Sequence, residues 1–309
     1  MQSWPTPNVP RLLPDGGEVR VFDSTSRQLV DLSDEDAGLY VCGITPYDAT
    51  HLGHANTYVA FDLLVRVERD LGWPVRYTSN VTDIDDPLLD RAAATGVYWQ
   101  QLATEQTDLY RTDMTALRVI PPDFYRGAVA AIPQVVEAVT ALLADGRAYR
   151  VPIDPTGSTE DGDVYADLAA DPNFGSVASF DEPTMIKLFA QRGGDPDRPG
   201  KRNPLDPLLW RQERPGEPAW PGGVLGDGRP GWHIECAIIA RDGLGSSYGV
   251  CGGGSDLLFP HHEMSASHAR MLIDPQAGPR RHMHAGMVGY QGEKMSKSKG
   301  NLVLVSELI

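Results

Sequence analysis

The chain is poor in cysteine, in positive charge and in long apolar runs. Its three cysteines, Cys42, Cys236 and Cys251, are an odd and widely scattered set among 309 residues. That argues against a disulfide framework and for reduced thiols able to bind metal. Only 27 basic residues stand against 42 acidic ones, a formal charge of -15. Broad, charge-driven binding to a nucleic-acid backbone is therefore disfavoured, although a local basic patch is not. No uninterrupted apolar run is long enough to span a membrane, and the opening MQSWPTPNVPRLLPDGG has no apolar core of signal-peptide length. These absences lead to the expectation of a cytoplasmic protein with no membrane partner.

What is present is ordinary for a globular protein. Apolar residues make up 41% and charged residues 22%, in a chain long enough to form one large domain with an insertion, or two domains. The segment from Leu39 to about Val81 reads as a βαβ unit. LYVCGIT is a short apolar run suited to a buried parallel strand, TYVAFDLLVRVERDLG an amphipathic helix, and PVRYTSNV a second strand. Within the helix Ala60, Phe61, Leu64, Val65 and Leu71 recur at three- and four-residue steps, Asp62, Arg66 and Arg69 take the other side, and Gly72 and Pro74 end it. A right-handed crossover puts the start of that helix at the carboxyl edge of the sheet, where such folds bind ligands. TDIDDPLLDRAAATG predicts another helix, with Asp86 as N-cap and Pro87 at the first helical position. The stretch from Trp99 to Tyr149 reads as further helices. Between about Val151 and Pro204 the texture turns to Gly, Pro and Asp with little periodicity, and from Leu205 short apolar runs return. The expected organisation is an α/β, Rossmann-type domain in two halves, residues 1–120 and 205–309, around a helical and loop-rich insertion at 121–204.

All eight histidines, His51, His54, His233, His261, His262, His268, His282 and His284, lie near stretches that could carry chemistry. Any one histidine is more often a packed structural residue. In HLGH, His51 and His54 share a helix face, Gly53 lets a ligand approach the backbone, and the free N–H groups of the helix start favour an anion such as phosphate. GEKMSKSKGN places Lys294, Lys297 and Lys299 in one glycine-bounded loop of an acidic chain. Their ammonium groups suit the neutralisation of a departing pyrophosphate, although a solvated lysine loop has the same composition. FPHHEMS, residues 259–265, offers metal donors side by side. Adjacent side chains point apart, so at most one or two can serve an ion and the remaining ligands must come from elsewhere.

HLGH after the first strand and KMSKS late in the chain together resemble the paired signature of class I aminoacyl-tRNA synthetases. YVCGITPYDATHLGH, NVTDIDD, GEPAWP, RPGWHIEC and GGGSDLLFPHHE resemble cysteinyl-tRNA synthetase, over nearly the whole chain. The resemblance implies a Rossmann catalytic domain with a connecting insertion, and a Zn2+ ion held by Cys42, Cys236 and His261. The fourth ligand of that family, a glutamate four residues after the histidine, is here Ser265. A hydroxyl is a poor zinc ligand beside thiolates and imidazole, so the implied site has three protein ligands and a place for an incoming thiolate. A closed structural zinc site is the alternative. An open site would help to choose cysteine over serine, because shape alone separates near-isosteres by roughly 10- to 200-fold. The serine, with MQSWP, ITPYDATHLGH and RGGDPDRPGK, is similar to the cysteine ligases of mycothiol biosynthesis, which look like shortened cysteinyl-tRNA synthetases. Two positions depart from that pattern: Gln191 stands where glutamate is usual, and Cys251 where histidine or glutamine is.

The reaction the resemblance implies consumes ATP with Mg2+, activates L-cysteine as cysteinyl-adenylate, and transfers it to the amine of glucosaminyl-inositol. His51, His54 and the helix start would position phosphates, and Lys294 and Lys297 would stabilise charge on pyrophosphate. By the same resemblance Cys42, Gly43, Ile44, Thr45, Thr57, Asn80, Val81, Thr82, Trp232, Gly254, Ser255, Asp256 and Val288 line the cysteinyl-adenylate site. Each has a plainer reading: Thr57 as a helix cap, Asn80 and Thr82 as turn residues, Trp232 as core, Asp256 as a turn residue after glycines. The expected protein is a monomer that does not use tRNA; NLVLVSELI reads as a final strand-like run, with no helical anticodon region in this chain. A cysteinyl-tRNA synthetase and a non-catalytic nucleotide-binding zinc protein are the competing readings.

Overall fold

The computed structural model describes residues 1–10, 17–154, 162–295 and 300–309. Along the chain come the hairpin β1 (Val19–Asp23) and β2 (Gln28–Leu32), then β3 (Gly38–Ile44), α1 (Leu52–Asp70), β4 (Arg76–Val81), α2 (Asp86–Thr95), α3 (Trp99–Ala116) and β5 (Phe124–Gly127). They are followed by α4 (Ala128–Ala144), β6 (Ala148–Pro152), β7 (Gly162–Ala166), α5 (Glu182–Gln191), β8 (Leu208–Gln212), β9 (Gly228–Pro230) and α6 (Trp232–Leu244). The last part holds β10 (Ser247–Gly254), α7 (Glu263–Leu272), β11 (Gly278–Ala285) and the short pair β12 (Gly289–Tyr290) and β13 (Glu293–Lys294).

These elements fall into two compact units, one of residues 1–127, 248–256 and 280–309, the other of residues 128–247 and 257–279. The boundaries differ from the blocks 1–120, 121–204 and 205–309 drawn from composition. Composition marks where texture changes, whereas packing follows which strands pair, and β10 returns to β3 from more than 200 residues further along the chain.

The first unit is built on a five-stranded sheet in the order β11-β10-β3-β4-β5, with β10, β3, β4 and β5 mutually parallel. Strand β3, helix α1 and strand β4 form the expected βαβ unit. Phe61, Leu64 and Val65 of α1 are buried against Leu39, Val41, Tyr110 and Met114. One position on the expected polar side is also buried. Asp62 accepts the Ile120 N–H at 2.7 Å and pairs with Arg66 at 2.6 Å, so its carboxylate is satisfied inside the protein. Helix α2 is capped one residue earlier than the sequence suggested: Asp85 is the N-cap, Asp86 the first helical residue, and Pro87 the second.

The second unit has an antiparallel sheet in the order β6-β7-β8-β9. Its core joins Val135, Val139 and Leu142 of α4 to Trp210 of β8 and Ile234 and Ile238 of α6. Two regular elements, β7 and α5, occupy the stretch that reads as loop. Strand β7 is buried at all five positions and α5 is only ten residues long, so neither shows a clear polar-apolar period. The run after the lysine loop is not a strand: Leu304 makes a single antiparallel bridge to His51, and residues Val305–Glu307 form a 3-10 turn.

Candidate functional site

In the first unit the carboxyl end of β3 leads through residues 45–50 to the start of α1. His51 is the N-cap of α1. Its Nδ1 accepts the Gly53 N–H at 3.0 Å, and the His54 Nδ1 lies 3.4 Å from the His51 N–H. The rings stack at a centroid distance of 3.9 Å. Two consequences follow from this. Because each Nδ1 accepts a backbone N–H, each ring carries a proton on Nε2. Burial, with the neighbouring His51, pushes the His54 imidazole down to about 3, so it is neutral at physiological pH.

The helix start itself is less available than expected. The Leu52 N–H is taken by the Val303 carbonyl at 3.0 Å and the Gly53 N–H by His51. Gly53 makes room for the His51 ring, since a Cβ there would lie 2.8 Å from it. Those two amides are therefore not open to an anion. Thr57 does not cap the helix; its hydroxyl bonds back to the Gly53 carbonyl at 3.2 Å.

Asn80, on β4, is buried and holds no turn. Its Oδ1 accepts the Gly43 N–H at 2.8 Å and the Tyr40 hydroxyl at 2.9 Å, and its Nδ2 donates to Thr82 Oγ1 at 3.1 Å. Ile44, Val81 and Thr82 are buried, while Gly43, Thr45 and Val288 are half-buried. Gly254 ends β10, and Ser255 and Asp256 stand exposed in the turn beyond it. Lys294 lies on β13, but its side chain, like the whole of Lys297 and Lys299, lies outside the described residues.

In the second unit FPHHEMS is divided between three environments. The segment Leu258–His262 is kinked at Phe259, whose backbone is extended (φ -139°, ψ 136°), and runs into α7. His261 is turned toward α6, with Nε2 3.2 Å from Cys236 Sγ and Nδ1 3.0 Å from His233 Nδ1. Trp232 is half-buried and stacks on the His261 ring at 4.3 Å. Glu263 points elsewhere: its carboxylate accepts the N–H groups of Gly175, Val177 and Ala178 at 2.8–2.9 Å. It is a structural acid and not a ligand candidate.

The donor set fits a soft or borderline cation. Donors 3.2 Å apart compare with about 3.5 Å across one edge of a tetrahedral zinc ion with sulfur and nitrogen ligands. Burial holds the His261 imidazole down to about 3, so the ring is neutral at neutral pH and keeps one nitrogen lone pair free for a metal ion. Cys42, Cys236 and His261 are each buried and each offer one ligand atom. The Ser265 hydroxyl is already engaged, donating to the His233 carbonyl at 2.9 Å. His233 itself was not singled out by sequence reasoning, although it stands three residues before Cys236 on one helix, a spacing that puts both on the same face.

The family model for the class I (C) tRNA synthetase catalytic domain matches residues 28–309. The L-cysteine:1D-myo-inositol 2-amino-2-deoxy-alpha-D-glucopyranoside ligase of Xylanimonas cellulosilytica is 65% identical over the whole chain, which covers 74% of that protein. Those of Sanguibacter keddieii and Cellulomonas flavigena are 64% and 63% identical at the same coverage. Among solved structures, Mycobacterium tuberculosis methionyl-tRNA synthetase, in complex with methionyl-adenylate, is similar in fold. Its TM-score is 0.58 at 20% identity, with 88% of this chain and 61% of that chain covered. The chain therefore belongs to the L-cysteine:1D-myo-inositol 2-amino-2-deoxy-alpha-D-glucopyranoside ligases, built on the class I tRNA synthetase catalytic domain.

Proposed function

We propose that the protein is an ATP-dependent, AMP-forming ligase that joins L-cysteine to the amine of glucosaminyl-inositol, in mycothiol biosynthesis. The cysteine carboxylate attacks the α-phosphorus of ATP and pyrophosphate leaves. The sugar amine then attacks the carbonyl of cysteinyl-adenylate, loses a proton, and AMP departs. The Nε2–H groups of His51 and His54 donate to phosphate oxygens, and Lys294 and Lys297 hold the charge that collects on pyrophosphate. Mg2+ accompanies the nucleotide. The thirteen residues from Cys42 to Val288 assigned by resemblance line the adenylate.

Cys42, Cys236 and His261 would hold Zn2+, which when bound supplies a Lewis-acidic place for a substrate thiol. The observation that carries this reading is the buried pair of Cys236 and His261, with Ser265 turned to a carbonyl where the tRNA-charging relatives of the resemblance have a carboxylate ligand. Among the described residues the cluster offers three donors and no fourth, which suits cysteine as the substrate. Incubation of the purified protein with ATP, cysteine and glucosaminyl-inositol is expected to yield the amide and AMP. Failure to form it, with cysteinyl-tRNA produced when tRNA is added, would transfer the assignment to the tRNA-charging reading.

A further inference from the structure

Strand β3 carries an irregularity at the residue that matters most. Its pairing with β4 runs from Gly38 opposite Arg76 to Val41 opposite Ser79, then resumes with Ile44 opposite Val81. Three steps along β3 are thus matched by two along β4, and the extra residue falls at Cys42–Gly43. A bulge of this kind releases backbone groups from the ladder and re-aims a side chain.

Both ends of the released peptide unit are captured by buried side chains. The Cys42 carbonyl accepts the Tyr58 hydroxyl of α1 at 3.2 Å, and the Gly43 N–H, in the same peptide plane, donates to Asn80 Oδ1 of β4 at 2.8 Å. Tyr58 and Asn80 are 3% and 1% exposed, so neither bond competes with solvent. Each clamp is itself held. Asn80 is fixed by Tyr40 and Thr82. Tyr58 packs edge-on to Tyr110 at 5.2 Å, and the Tyr110 hydroxyl bonds to that of Tyr58. The approach to Asn80 is so close that a Cβ on Gly43 would lie 1.6 Å from the Asn80 carbonyl oxygen, which only glycine allows.

A planar peptide held at its oxygen and its nitrogen has lost the rotation that would swing the preceding Cα–Cβ bond. We propose that Tyr58 and Asn80 are positioning residues for Cys42, fixing the direction of its sulfur through the Cys42–Gly43 peptide before any ion arrives. The inference rests on Cys42 being a metal ligand, as given under the proposed function. Outer partners that orient a ligand typically change metal affinity by about 10–100-fold when removed. Here the orienting bonds act through the backbone because a thiolate has no second hydrogen-bonding atom to hold.

The test compares removal of one hydroxyl at two buried tyrosines of the same unit. Tyr125 is also in the core, and its hydroxyl makes no hydrogen bond among the described residues. Zinc affinity is measured by chelator competition, and the cobalt-substituted protein is examined for its thiolate-to-metal charge-transfer band. Tyr58→Phe is expected to weaken zinc binding about 10–100-fold and to shift that band, while Tyr125→Phe leaves both as in the wild type. Asn80→Ala, which frees the other end of the peptide, is expected to act like Tyr58→Phe and decides the question if that variant does not fold. Equal behaviour of the two Phe variants, whether both unchanged or both weakened, overturns the inference. Cys42→Ala keeps the two levels apart: zinc affinity unchanged in that variant overturns the ligand assignment itself, whereas loss in Cys42→Ala without loss in Tyr58→Phe overturns only the positioning role.

Discussion

At the scale of single residues, charge state matters as much as position. His54 and His261 are kept neutral by burial, and neutrality leaves each ring one nitrogen lone pair, which accepts the His51 N–H in the first and is open to a metal ion in the second. His54→Ala is expected to lower the rate of cysteine-dependent ATP–pyrophosphate exchange by about 10²-fold, the usual loss for one directed donor. Cys236→Ser should reduce zinc content and cysteine activation together, with metal affinity falling by about 100-fold or more; metal analysis and pyrophosphate exchange on the same sample check it. A different residue, Glu68 on α1, is 1% exposed, and both its carboxylate oxygens lack a hydrogen-bond partner among the described residues. Burial, with Asp36 nearby, pushes its carboxyl up to about 8. Its unfolded value is near 4.5, so its contribution to stability is full below pH 4.5 and is lost as pH rises through 8. Glu68→Gln should flatten that part of the stability profile in urea titrations between pH 6 and 9.

At the scale of elements, local sequence rules hold where the backbone obeys its period, and fail where a tertiary partner intervenes. Strand β3, helix α1 and strand β4 were legible because apolar residues recur at the steps those structures require. The bulge in β3 was not, since an extra residue shows only in the pairing with β4. The role of Glu263 was equally hidden: HHE offers candidate metal donors of which at most two can serve one ion, and the acid instead serves three backbone N–H groups of residues 175–178. Glu263→Ala leaves those groups buried without their acceptor and should destabilise the protein by about 3 kcal/mol or more, measured by urea unfolding. The segment after the lysine loop is likewise tied to the histidine motif by Leu52 N–H to Val303 and Val305 N–H to Thr50, at 3.0 and 2.9 Å. Val305→Pro removes the second bond and should raise the KM for ATP while zinc content is unchanged, which steady-state kinetics and metal analysis would show.

At the scale of the whole molecule, buried imidazoles set the acid limit. Burial pushes His54 and His268 down to about 3 and His284 to about 4, whereas the unfolded chain protonates each near 6.5. The unfolded state therefore binds more protons between pH 6.5 and 4, and stability must fall as pH is lowered through that window. A denaturant midpoint that stays constant from pH 6.5 to 4.5 would contradict this assignment. Among the described residues no helix is long and apolar enough to cross a membrane. The sequence by itself determined the chemistry on offer: thiols too few and scattered for disulfides, histidines at the mouth of a βαβ unit, and a serine in place of a carboxylate ligand. Those features depend on residue type and local period, which the chain carries openly. Only the tertiary structure decided which donors face which. It turned His261 toward Cys236 and His233, sent Glu263 to a loop some 85 residues away in sequence, and clamped the Cys42–Gly43 peptide between α1 and β4. Such contacts arise from packing between segments far apart in the chain, and no local pattern encodes them.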